Sequence, residues 1–192
     1  TESVFSMDGD HAPLREMVTL KAKYGAWLMV DEAHATGLYG ANRRGLAEAL
    51  GVSDRIEIQM GTLGKALGAS GGYVCGSRAL VDFLINRARS FIFSTAPVPA
   101  SATAAQAGIQ LVQSREGAAR CEQLWQLVAE CRTGVAPVSN QPTAQMIQDA
   151  GYRRDACPTR SAIIPLILGD EASAVAAATK LREHGLFVPA IR

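Results

Sequence analysis

Most of the features that would assign this chain at a glance are missing from it. No apolar run in its 192 residues approaches the roughly 20 residues needed to span a bilayer, and the N-terminal residues carry no signal-peptide pattern. A membrane role is therefore not expected. An excess of one charge is also missing, since 19 Lys+Arg face 18 Asp+Glu for a formal net charge of +1. That balance leaves no basic footprint for wrapping nucleic acid or docking on anionic lipid. The four cysteines, Cys75, Cys121, Cys131 and Cys157, are scattered without C-x-x-C or a Cys/His cluster. Neither a disulfide scaffold nor a zinc module fits, and no metal ligands are expected. Reduced thiols in a cytoplasmic protein are the simplest reading. Two glycine-rich turns fail as nucleotide loops. Around Lys65, Gln59 and Ala66 stand where a phosphate loop requires Gly and Ser or Thr, and residues 68–72 contain no G-x-G-x-x-G.

What is present suits a sizeable core, with 48% apolar and 19% charged residues, a composition that argues against disorder. Short apolar runs alternate with amphipathic stretches, which predicts an α/β fold with a largely parallel sheet. Residues 3–6 read as a strand running into the turn cluster Met7-Asp8-Gly9-Asp10. Pro13 suits the first turn of a helix, with Leu14, Met17, Val18, Lys21 and Tyr24 at helical spacing, and Gly25 stops it in a left-handed cap. Trp27-Leu28-Met29-Val30 is an uninterrupted apolar run, as expected of a strand covered on both faces. Residues 56–60 and 72–75 supply two more strands. Ser77 caps a helix to about residue 90 with Leu80, Leu84 and Ile85 inward. Residues 100–131 read as helical with a break near 114–117, and residues 133–160 as loop-rich. A β-α-β pattern closes the chain: a strand over 163–168, a helix capped by Asp170, reaching His184 and ended by Gly185, and a strand over 186–191. His184 suits the dipole of that last helical turn, and the methionines read as core filling. Both ends read as cut, because a parallel core of three or four strands without edge protection is unusual for a complete protein.

In open α/β sheets ligands bind beyond the carboxyl ends of the strands. There the sequence places Ser6, then Asp31 with His34, then Thr62 and Lys65 in Gly61-Thr62-Leu63-Gly64-Lys65. Each has a bland alternative: Asp31 as a helix cap, Ser6 and Thr62 as turn hydroxyls, His34 as a packed imidazole, Lys65 as a solvated amine. Taken jointly they suit pyridoxal phosphate. That cofactor needs a lysine for its Schiff base, an acid against the pyridine nitrogen, donors for the phosphate and a partner for the ring hydroxyl. Lys65, Asp31, the Ser6 and Thr62 hydroxyls, and His34 meet those needs in turn. A competing reading comes from Asp31-Glu32-Ala33-His34, which spells the DEAH box of nucleotide-driven RNA motors, with Ser101-Ala102-Thr103 mimicking a later motor motif. The latter triplet lies in a helix-like stretch and the charge is wrong for a motor. A non-catalytic folding or dimerisation piece is the third reading.

Ser6-Met7-Asp8-Gly9-Asp10, Val30-Asp31-Glu32-Ala33-His34-Ala35-Thr36-Gly37 and Gly61-Thr62-Leu63-Gly64-Lys65-Ala66-Leu67-Gly68 resemble the α-oxoamine synthases. These are fold type I pyridoxal-phosphate enzymes that condense an amino acid with an acyl thioester and release carbon dioxide. The resemblance implies part of the large cofactor-binding domain over residues 1–132, then a linker and part of a small α+β domain over 133–192. It implies Lys65, His34 and Asp31 as catalytic residues, with Lys65 forming the Schiff base, Asp31 pairing with the pyridine nitrogen and His34 meeting the ring oxygen. Ser6 and Thr62 would contact the cofactor, and Thr95 would reach a neighbouring subunit's phosphate. Phe91-Ile92-Phe93-Ser94-Thr95-Ala96-Pro97, Val188-Pro189-Ala190-Ile191-Arg192 and Thr36, where two other branches more often carry valine, look most like the biotin-pathway branch. That branch implies L-alanine and pimeloyl-CoA or a pimeloyl-carrier protein as partners, a cytoplasmic homodimer, and no nucleic-acid or membrane partner. The alternatives within the family are 2-amino-3-ketobutyrate ligase, 5-aminolevulinate synthase and serine-palmitoyltransferase-like activities. The family's stacking aromatic, one phosphate turn and the substrate-carboxylate arginine are absent, so residues 1–192 alone are expected to be inactive.

Overall fold

Gly25 ends the first helix as the sequence dictates. It adopts φ 62°, and the turn is closed by the Ala26 N–H donating to the Lys21 carbonyl at 2.9 Å. The computed structural model describes residues 1–133 and 161–191. The loop-rich stretch expected over 133–160, apart from Thr133, and Cys157 lie outside those residues. Helix α1 (Leu14–Tyr24) buries Leu14 and Val18. Strand β1 (Met29–Asp31) follows, then a short α2 (Leu46–Ala49), a 3-10 turn at Ser53–Arg55, strand β2 (Ile58–Thr62) and strand β3 (Gly72–Gly76). Helices α3 (Arg78–Arg87), α4 (Arg89–Ile92), α5 (Pro99–Gln113), α6 (Arg115–Thr133) and α7 (Glu171–Glu183) complete the described elements.

The sheet has the order β1-β2-β3. Strands β1 and β2 are parallel, with Asp31 opposite Met60. Strand β3 runs antiparallel to β2, with Thr62 opposite Gly72 and Gly61 opposite Tyr73. The sheet is therefore mixed where a largely parallel one was expected. The turn through residues 63–71 is short enough to return the chain directly, whereas a parallel connection needs a crossover of a dozen residues or more. Residues 3–6 form no strand. The segment holds only single bridges, Glu2 with Asp31 in parallel just ahead of these residues and Val4 with His11 in antiparallel, and the Ser3 N–H donates to the Asp31 carbonyl at 2.9 Å.

Burial corrects several expectations. Trp27 is 68% exposed and Met29 45%, so the apolar run around β1 is covered on one face, with Leu28 and Val30 inside. None of α3 is buried, and Ile85 is exposed, contrary to its expected inward position. Met7 and Met29 are exposed, so neither fills the core. The helical stretch after residue 99 breaks at Ser114 alone, where φ −80° and ψ 170° leave the helical region.

The described residues divide into two units. One comprises Thr1–Ser6 with Asp10–Leu124, the other Met7–Gly9 with Trp125–Arg192. In the second unit, Asp170 caps α7 by accepting from the Ser173 N–H at 2.8 Å, and His184 closes the helix with its Nδ1 2.9 Å from the Lys180 carbonyl oxygen. The strands expected over 163–168 and 186–191 do not form. An extended segment becomes a strand only when a neighbour pairs its N–H and C=O groups, and no ladder partner for either exists among the described residues.

Candidate active site

All candidate site residues fall in the first unit. Because the Glu2 segment, β1 and β2 run in one direction, their carboxyl ends share an edge of the sheet. Ser6, the Asp31–His34 turn and the Thr62–Lys65 turn follow those ends. The structure thus brings five of the expected residues to one edge through backbone direction.

Asp31 closes β1 and turns its carboxylate back on its own chain, with Oδ1 accepting from the Ala33 N–H at 2.8 Å. Oδ2 makes no hydrogen bond among the described residues and stays open to a ligand. The next residue does different work. Glu32 is 3% exposed, and its carboxylate accepts from Ser3 Oγ at 2.6 Å, the Leu46 N–H at 2.9 Å and the Ala47 N–H at 2.8 Å. Its carbonyl takes the Ala35 and Thr36 N–H groups at 2.9 and 2.8 Å and the Thr36 hydroxyl at 3.0 Å. One residue therefore anchors the turn that carries His34, whose ring is partly exposed.

Lys65 is exposed and belongs to none of the ion pairs among the described residues. Its turn is tied down at both ends. The Leu63 N–H donates to the Gly71 carbonyl at 2.9 Å, and the Ala69 N–H to the Leu63 carbonyl at 2.8 Å. Thr62 Oγ1 accepts from the Gly64 N–H at 3.1 Å and donates to the Gly71 carbonyl at 3.2 Å. A hydroxyl has a single proton to give, so Thr62 can donate to a phosphate only by releasing Gly71. The turn is also wedged between two glycines. A Cβ on Gly37 would meet the Ala66 Cβ at 2.9 Å, and a Cβ on Gly108 in α5 would meet the Leu67 carbonyl oxygen at 2.3 Å. Both contacts hold the lysine segment close to its neighbours because no side chain intervenes.

Ser6 lies exposed in the turn after the first bridges. Thr95 lies exposed between α4 and α5, away from the strand ends in sequence. The start of α5 is fixed by Ser101 Oγ, which donates to the Ser70 carbonyl at 3.3 Å. Sequence reasoning missed Glu32, Tyr73 and Gly108. Only Gly108 left a signal, since glycine within a helix costs stability and asks for a packing reason. Among the described residues no group of three or more His, Cys, Asp or Glu is placed to hold a metal ion, and no helix is long and apolar enough to cross a membrane.

The family model for aminotransferase class I and II matches residues 1–192. The chain is 48% identical over 192 residues to the 8-amino-7-oxononanoate synthase of Anaeromyxobacter dehalogenans strain 2CP-1, covering 100% of this chain and 44% of that protein. It is similar to the serine palmitoyltransferase from S. paucimobilis with a bound PLP–myriocin aldimine, at 30% identity and TM-score 0.84, over 98% of this chain and 45% of that one. It is similar, too, to a high-resolution structure of SPT with PLP internal aldimine, at 31% identity and TM-score 0.85, over 100% and 44%. The chain spans less than half the length of these relatives.

Proposed function

The chain belongs to the aminotransferase class I and II family, and from that membership we propose that it carries the lysine segment of an acyltransferase. The reaction condenses L-alanine with a pimeloyl thioester, on CoA or a carrier protein, and with loss of carbon dioxide gives 8-amino-7-oxononanoate for biotin synthesis. The fold is that of the fold type I transferases, and the cofactor is pyridoxal 5'-phosphate.

The residues present fit that cofactor. Among the described residues Asp31 offers a carboxylate oxygen without a hydrogen bond, Lys65 an exposed amine outside any ion pair, and the Lys65 turn glycine backbone. When bound, the cofactor supplies a protonated pyridine ring that draws electrons from the α-carbon of the amino acid. Asp31 would hold the proton at the pyridine nitrogen, a charge-assisted hydrogen bond worth about 1.5–3 kcal/mol net. Lys65 Nζ would hold the aldehyde carbon, then take the proton from the α-carbon of alanine once displaced by the substrate amine. His34 would hydrogen-bond the ring oxygen. Ser6 would contact the cofactor, Thr62 would do so at the expense of Gly71, and Thr95 would serve the phosphate of a neighbouring subunit. The reading carries with it a cytoplasmic homodimer and the division into residues 1–132 and 133–192.

The observation that carries the choice of substrate is 48% identity to an 8-amino-7-oxononanoate synthase across the whole chain. Assaying the full-length protein with alanine, glycine and serine against pimeloyl, acetyl and palmitoyl thioesters tests it. Alanine with pimeloyl thioester is expected to be preferred. Preference for glycine with acetyl thioester, or serine with palmitoyl thioester, would move the protein to another branch of the family.

A further inference from the structure

Tyr73 stands on β3 opposite Gly61, half-buried, with its ring crossing β2. A Cβ on Gly61 would lie 2.5 Å from the Tyr73 hydroxyl and 2.8 Å from Cζ, so the crossing depends on glycine at that position. The hydroxyl lies 3.0 Å from Thr36 Oγ1, in the turn that carries His34. The direction of this bond follows from counting protons. Thr36 Oγ1 has one hydrogen and gives it to the Glu32 carbonyl at 3.0 Å. In the bond between the two hydroxyls, then, the phenol donates and Thr36 accepts. Burial pushes the Tyr73 hydroxyl above its ordinary pKa, and the charges of Cys75, Glu32 and Asp31 add to that against the opposing pull of the Thr36 bond. The donor therefore keeps its proton at neutral pH.

From this juxtaposition we propose that Tyr73 and Thr36 form a positioning pair that fixes the turn after Asp31 and, through it, the His34 imidazole. The route is the backbone. Phenol, Thr36 hydroxyl and Glu32 carbonyl form one chain of donors and acceptors, and that same carbonyl also receives the Ala35 and Thr36 N–H groups. His34 lies between the two ends of this chain. A valine at position 36 would keep the shape and lose both side-chain bonds, leaving the phenol O–H without its acceptor. The catalytic consequence rests on reading His34 as a cofactor contact.

The test uses the full-length protein with pyridoxal phosphate bound. Thr36→Val and Tyr73→Phe are each expected to shift the nitrogen resonances of the His34 ring and to lower kcat roughly tenfold, in line with the sensitivity of catalysis to small displacements. The double variant should be no worse than the worse single one, because both remove the same bond. Thr36→Ser, which retains the hydroxyl, should match the parent. Tyr73→Phe keeps the ring over Gly61, so its packing survives. Unmoved His34 resonances, additive losses, or a serine variant as impaired as the valine one would each overturn the pair. His34→Asn separates the two readings. If it leaves the visible spectrum of the bound cofactor and kcat unchanged, the role of His34 fails, while the resonances still decide whether the pair sets its orientation.

Discussion

Ser3 and Glu32 meet inside the core, hydroxyl to carboxylate, at 2.6 Å, with Ser3 wholly buried and Glu32 nearly so. The contact joins the first segment of the chain to the residue that follows β1. The same carboxylate holds the N–H groups of Leu46 and Ala47. Its position also explains Gly45, where φ is 145° and a Cβ would lie 2.5 Å from the Glu32 carboxyl carbon.

Substituting Glu32 therefore costs stability before it affects chemistry. In Glu32→Gln the amide nitrogen must face at least one backbone N–H, a donor against a donor, which should cost about 1–3 kcal/mol. Glu32→Ala strips three donors of their acceptor and should cost more, and neither variant removes a group that faces the cofactor. Urea denaturation of the full-length protein followed by circular dichroism measures both. A Glu32→Gln variant as stable as the parent would contradict the clamp.

Gly108→Ala is expected to reverse the usual sign of that exchange. In an exposed helix interior alanine gains about 1 kcal/mol over glycine. Here the added methyl would meet the Leu67 carbonyl oxygen at 2.3 Å, a backbone atom in the lysine turn that cannot swing aside. Overpacking of this kind costs about 1–3 kcal/mol, and the displaced turn should load pyridoxal phosphate poorly. Thermal melting and cofactor titration report the two effects separately.

Lys65→Ala should still take up pyridoxal phosphate, more weakly, but should show no borohydride-fixed adduct by mass spectrometry. Asp31→Asn should load cofactor and fix it at Lys65, while alanine-dependent turnover falls by orders of magnitude, because an amide does not keep the pyridine nitrogen protonated. Near-normal turnover in that variant would remove Asp31 from the mechanism. Residues 1–192 alone should give weak fixing at Lys65 and no measurable condensation. Each neutral hydrogen bond contributes about 1 kcal/mol net, and the chain spans 44% of its curated relative.

Acid should destabilise the first unit through Glu57. Its carboxylate pairs with the Lys21 ammonium and accepts the Leu28 N–H at 2.9 Å, and these bonds hold its pKa below the ordinary carboxylate value. A carboxylate whose folded-state pKa lies below its unfolded one stabilises the fold above the unfolded value, and loses that contribution as pH falls through the folded one. Stability measured from pH 7 downward should therefore begin to drop near the usual glutamate range. Glu57→Gln should flatten that drop, and an unchanged acid limb would rule Glu57 out as its source.

Contiguous residues carried the local structure. Gly25 as a left-handed cap, Ser77 and Asp170 as N-caps and the break near Ser114 each depend on neighbours within a few positions, so they were legible in the sequence. The placement of Asp31, His34, Thr62 and Lys65 at one edge was legible too, because strand ends and turn residues mark it, whereas the strand read ahead of Ser6 does not form. Other features required the assembled chain. The Ser3–Glu32 bond, the Tyr73–Thr36 pair and the Gly108–Leu67 contact join residues far apart in sequence, and their geometry depends on register and helix placement, which no local pattern encodes. The segments over 163–168 and 186–191 make the same point in reverse. Their apolar residues favour an extended backbone, but a strand is a relation between two segments, and extended propensity without a paired ladder leaves only coil.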